Sequence, residues 1–174
     1  IMQKTKTTIP KIIHYCWFGG KEKPELAKKC IASWKKFCPD YEIVEWNESN
    51  FDINMNDFTS HTYKIGKLGF VPDYARLWII HKYGGVYLDT DVELIKNLDP
   101  LLENQAFFGY EDEKHINLGQ GFGAVKGNPV LQKMMEDYIP PTFQPKKDKD
   151  YLLPSPQKNS ASIRNLLNSH TNKK

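Results

Sequence analysis

The stretch GGVYLDTDVEL, residues 84–94, decides how the rest of the chain reads. Its double glycine ends whatever helix precedes it, because glycine takes the backbone conformations that close helices. Val86 to Leu88 then reads as a short buried strand of β-branched and aromatic residues. That strand delivers two carboxylates, Asp89 and Asp91, at its carboxyl end. Ligands of open α/β sheets bind in the crevice beyond the carboxyl ends of the strands. Two carboxylates there are hard oxygen ligands, suited to Mg2+ or Mn2+ held jointly with phosphate oxygens. Such an ion neutralises charge developing on a departing nucleoside diphosphate. The Asp-x-Asp pattern alone is a weak signal, since acidic turns are common. Its neighbours give it weight.

Immediately upstream, Pro72 opens a helix over 73–83, with Tyr74, Leu77, Trp78 and His81 available for packing. Asp73 and Arg76 are three residues apart and share a face of that helix. On an open surface such a pair is worth less than about 1 kcal/mol. The tight glycine turn, however, returns the chain antiparallel to the helix and brings the helix start back toward Asp89. There Asp73 can accept sugar hydroxyls and Arg76 can contact sugar or diphosphate oxygens.

Further out, KIIHYCWF (11–18) reads as a buried strand ending at Gly19-Gly20, followed by a helix over 24–37 and a strand over 41–46. Alternation puts Tyr15 and Trp17 on one face of the first strand and His14 and Cys16 on the other. Trp17 is either core or a platform for a nucleobase, with stacking worth roughly 1–3 kcal/mol. His14 reads as a satisfied core histidine rather than a metal ligand. Residues 47–56 are loop-like and precede a weak helix. A strand is expected over 106–110, a glycine-rich segment over 117–127 and a helix over 128–138. The strand–helix rhythm is that of an α/β sheet with parallel neighbours. Residues 140–157, rich in proline and lysine, read as linker or lid, closed by a short helix over 160–167. The expected division is a catalytic domain over 1–139 and a linker, lid and helix over 140–174.

The 174 residues suffice for one domain with a hydrophobic core. With 40% hydrophobic and 26% charged residues, the composition is globular and not disordered. A formal charge of +3, its lysines scattered over one helix and both ends, argues against nucleic acid. No apolar run reaches the roughly 18 residues that span a bilayer, and the start does not read as a signal peptide. Cys16, Cys30 and Cys38 are an odd set without C-x-x-C spacing. They read as buried thiols of a reducing compartment, not as a disulfide framework or zinc site. The expected location is cytoplasmic, with peripheral association at the inner face of the membrane.

Together, IPKIIHYCWFGG (9–20) and FVPDYARLWIIHKYGGVYLDTDVELIKNL (70–98) resemble glycosyltransferase family 32. Its members include capsular-polysaccharide and fungal mannosyl transferases, and the pattern is similar to the glucosylating domains of the large clostridial toxins. The resemblance covers roughly residues 9–138. It implies a GT-A fold (a Rossmann-like mixed sheet flanked by helices), a nucleotide-sugar donor, Mn2+ or Mg2+, and transfer with retention. By position it makes Trp17 the base-stacking tryptophan and Asp73 with Arg76 the sugar-contacting pair. Asp89 becomes the aspartate that touches ribose and the metal's water shell, and Asp91 the direct metal ligand. Tyr15, Tyr87 and Asn117 join them as substrate-binding candidates, Asn117 through a loose match to an Asn-and-Gly stretch on the acceptor side. Pro72 stands where the toxins carry a small polar residue. The family's C-terminal metal and diphosphate contacts find no counterpart in residues 151–174, which reads as truncation or divergence.

The expected activity is metal-dependent transfer of a hexose from a UDP- or GDP-sugar to a glycan or lipid-linked glycan, in capsular or surface polysaccharide synthesis. One alternative is an inactive or incomplete domain that still binds nucleotide sugar. A haloacid-dehalogenase-type phosphatase fits poorly. It would place its motif near the N-terminus and a small β-branched residue where Glu93 stands.

Overall fold

The computed structural model describes residues 8–139 and 155–171. Its centre is a five-stranded sheet in the order β2-β1-β3-β5-β4, with β1 at Ile12–Cys16, β2 at Glu42–Trp46, β3 at Gly85–Tyr87, β4 at Ala106–Phe108 and β5 at Phe122–Ala124. β1 runs parallel to both β2 and β3, whereas β5 is antiparallel to β3 and β4. The parallel expectation thus holds for one half of the sheet only. The segment joining β4 to β5 has only a 3-10 turn, Leu118–Gln120, and an isolated bridge between Tyr110 and Ile116. It contains no crossover helix, so the chain doubles back and pairs antiparallel.

Helices cover both faces. α1 (Glu25–Phe37) buries Ala27, Cys30, Ser33 and Trp34 against one face, and its Lys35 and Lys36 suit the carboxyl end of a helix. On the other face lie α2 (Asp57–Lys64), α3 (Val71–Tyr83) and α4 (Pro129–Tyr138). α3 is buried on most sides, through Val71, Ala75, Leu77, Ile79 and Ile80. β1 feeds both cores in alternation, Ile13 and Tyr15 facing α1 while Cys16 packs toward α3. All three cysteines are buried thiols.

α5 spans Ser155–Thr171, starting before and ending beyond the expected helix. Pro156 falls in its first turn, where proline is tolerated. Its Ser160 Oγ accepts the Ile116 N–H at 2.9 Å, and Arg164 donates to the Lys114 carbonyl at 3.1 Å, which ties it to the β4–β5 connection. Of the linker or lid expected over 140–157, residues 155–157 belong to α5 instead, and 140–154 lie outside the described residues.

The turn from α3 into β3 requires its two glycines. Gly84 has φ 71° and Gly85 φ 112°, and a Cβ on Gly85 would meet the Ile12 carbonyl oxygen at 2.8 Å. His14 secures this corner. Its Nε2 lies 3.0 Å from the Gly84 carbonyl and its Nδ1 accepts the Trp46 indole N–H at 3.0 Å. These partners require a neutral ring protonated on Nε2, and burial drives its pKa down to about 4. It is the satisfied core histidine that the pattern suggested.

Candidate active site

The strand order reverses at the centre of the sheet. From β1 the chain goes outward to β2, then returns across to β3. This switch point leaves a crevice beyond the carboxyl ends of β1 and β3. A cleft of about 350 Å³ occupies it, lined by Cys16 at the end of β1 with Trp17 and Phe18 just beyond it, and by Tyr87 at the end of β3 with Asp89, Thr90 and Asp91 just beyond it. The third wall is Leu68, Gly69, Pro72, Asp73 and Arg76, from the 3-10 turn Leu68–Phe70 and the first turns of α3.

Arg76 organises the floor. Its side chain is 3% exposed, with Nη2 2.5 Å from Asp73 Oδ1 and Nη1 3.6 Å from Asp89 Oδ2. Burial opposes its charge, but Asp73 and then Asp89 outweigh that and hold the guanidinium pKa above its usual value. The Tyr87 ring lies beneath it, 5.9 Å from ring centroid to guanidinium carbon. Burial and the neighbouring Cys16 keep the Tyr87 hydroxyl well above the ordinary range. The Cys16 thiol, buried beside it, is pushed up to about 12, so both are neutral at physiological pH and Cys16 is no nucleophile.

Asp91 is exposed at the rim and Asp89 partly so. Among the described residues no three His, Cys, Asp or Glu side chains stand close enough together to hold a metal ion by themselves. The lining therefore offers hard oxygen donors, too few to enclose a cation without oxygens from a ligand. Three carboxylates against one guanidinium also leave the lining net negative.

Of the residues singled out from the sequence, Trp17, Asp73, Arg76, Tyr87, Asp89 and Asp91 meet at this cleft. Trp17 is half-buried, and its indole N–H donates to the Lys21 carbonyl at 2.6 Å, tying the following loop beneath it. Tyr15 and Asn117 are absent from the lining. Tyr15 is buried under α1, edge-on to Trp34, with its hydroxyl donating to Glu45 Oε2 at 2.6 Å. Asn117 caps the turn Leu118–Gln120, accepting the Gly119 N–H at 2.9 Å. The sequence reading missed the turn at Leu68 and Gly69. It also missed Gly119, whose carbonyl accepts the Asp89 N–H at 3.2 Å. Asn and Gly at 117 and 119 were visible as a glycine-rich stretch, but not which glycine would reach Asp89.

Residues 24–108 match the family described as the glycosyltransferase sugar-binding region containing a DXD motif. The chain is 30% identical to inositol phosphoceramide mannosyltransferase 3 of Schizosaccharomyces pombe over 79% of its length and 39% of that protein's. It is 31% identical to the mannosyl phosphorylinositol ceramide synthase SUR1 of Saccharomyces cerevisiae, over 74% of this chain and 34% of the relative. It thus spans well under half of the curated relatives it matches. The solved structure of PaToxG glycosyltransferase superposes with a TM-score of 0.71 at 18% identity, covering 95% of this chain and 75% of that one. The fold is GT-A.

Proposed function

Because the chain belongs to the glycosyltransferases with a DXD-containing sugar-binding region, we propose that its cleft holds a nucleotide hexose and a divalent cation and passes the hexose to a lipid-linked acceptor. The observation that carries this reading is the Asp73–Arg76–Asp89 array at the cleft floor, with Asp91 exposed at the rim. A net-negative lining repels a diphosphate, so the donor should enter with Mn2+ or Mg2+ held by Asp91 and, through water, Asp89. When bound, that ion supplies Lewis-acid stabilisation of the leaving diphosphate.

Within this reading Trp17 stacks the base, Asp73 orients the sugar through its hydroxyls, and Arg76 steadies the sugar–diphosphate end. Arg76 engages both Asp73 and Asp89, which leaves neither poised as a nucleophile. Retention would then arise from attack on the face the diphosphate leaves, with a diphosphate oxygen taking the acceptor proton. Two relatives are named for mannose transfer to phosphoinositol ceramide lipids. A mannosyl nucleotide is therefore the first donor to test, and a lipid headgroup is favoured over a capsular glycan as acceptor.

Calorimetry with UDP- and GDP-hexoses, with Mn2+ and with EDTA, tests the proposal. One donor should bind only with Mn2+, and Asp91→Asn should abolish its turnover. Equal affinity under both conditions would overturn the metal-linked reading.

A further inference from the structure

Gly119 keeps to ordinary backbone angles, unlike the glycines at positive φ around it such as Gly121 and Gly127. Any residue could adopt its conformation. Space is what excludes a side chain. A Cβ at this position would stand 2.3 Å from Asp89 Oδ2, 3.1 Å from Asn117 Oδ1 and 3.2 Å from Asp89 Cγ, so the Asp89 oxygen makes the one severe collision and Asn117 a merely tight contact. The oxygen it would strike is the one that Arg76 Nη1 approaches at 3.6 Å.

The backbone around Gly119 is tied on several sides. Asn117 Oδ1 accepts the Gly119 N–H at 2.9 Å. The Asn117 N–H donates to the Gly109 carbonyl at 2.9 Å, and the Gly119 carbonyl accepts the Asp89 N–H at 3.2 Å. With the loop so held, an added methyl group must be met by movement of the Asp89 carboxylate, which turns on short side-chain torsions.

We propose that Gly119 is a positioning residue for Asp89: its bare backbone lets the carboxylate settle beside Arg76, and Asn117 fixes the loop that presents it. This rests on the cleft being the donor site. It brings the connection between β4 and β5 into the donor machinery, beyond the point where the acidic motif ends, and gives Asn117 a role on the donor side.

The test is a double-mutant cycle of Gly119→Ala and Asp89→Ala, read by melting midpoint and by affinity for UDP and GDP in Mn2+. Gly119→Ala should fold and lose roughly tenfold or more in nucleotide affinity, the scale of strong coupling between sites. In the Asp89→Ala background it should add no further loss. Equal losses in both backgrounds, or none in either, would overturn the proposal. Should Gly119→Ala fail to fold, the double variant should fold, because the colliding oxygen is gone; its failure would overturn the proposal as well. Absence of nucleotide binding by the wild type would refute the donor reading instead. The melting midpoints would still decide the positioning role, since Gly119→Ala should shift them only when Asp89 is present.

Discussion

Replacing Arg76 by methionine separates a buried organising charge from an ornamental ion pair. The guanidinium is 3% exposed and lies 2.5 Å from Asp73, whose side chain is 16% exposed. It also lies 3.6 Å from Asp89, which is 38% exposed. Removing one partner of a buried pair costs about 3–5 kcal/mol, because the other charge is left without compensation. Asp89 keeps enough hydration that its share is discounted, which places the expected loss near the lower bound, at about 3 kcal/mol. For a domain of this size each kcal/mol lowers the melting midpoint by roughly 2–4 °C, so Arg76→Met should melt about 6–12 °C below wild type. Arg76→Lys keeps the charge but not the fork that reaches two carboxylates, and should fall in between. Thermal unfolding followed by circular dichroism at neutral pH measures both. A drop of less than about 3 °C for Arg76→Met would mean an ordinary surface pair and refute the reasoning.

Other perturbations address the ligand and the core. Trp17→Ala should fold and weaken nucleotide diphosphate binding by about 1–3 kcal/mol in calorimetry; unchanged affinity would make Trp17 packing alone. Asp73→Ala should lose affinity for an intact nucleotide hexose while nearly retaining that for the nucleotide diphosphate, which has no sugar to orient. Equal loss for both ligands, or loss for neither, would remove Asp73 from the sugar. His14 has its folded pKa depressed from 6.5 to about 4. Its contribution is therefore fully present above pH 6.5 and should be lost as pH falls toward 4, by about 3 kcal/mol in all. A melting profile that is no steeper in this window for wild type than for His14→Gln would contradict this.

Much of the fold was legible because each element carried its own local signal. α1 shows apolar residues at helical spacing with lysines outside them, and α3 is bounded by Pro72 and Gly84. Direction in the sheet had no such signal. β4 and β5 are three residues each, as short as β3, and nothing in three residues distinguishes a parallel neighbour from an antiparallel one. What sets their direction is the length and content of the connection between them. The start of α5 had a readable cue in Ser155 and Pro156, but the proline-rich composition around it suggested a linker instead.

The cleft was legible where residues close in sequence share a face, and obscure where tertiary packing decides. Asp73, Arg76 and Asp89 could be brought together from helix spacing and one glycine turn. Tyr15 and Trp17 share strand parity, yet only Trp17 lines the cleft. The difference lies in where the strand ends. β1 stops at Cys16, so Tyr15 remains within the sheet and is covered by Trp34 of α1, while Trp17 emerges past the last paired residue. Parity says which side of a sheet a residue takes, but not whether a helix lies over that position. The contact between Gly119 and Asp89 lies further from view. It depends on the antiparallel pairing of β3 with β5, which places the loop before Phe122 against the end of β3. A pattern centred on the acidic motif therefore ends at Asp91, while the surface that shapes Asp89 comes from a loop some thirty residues later.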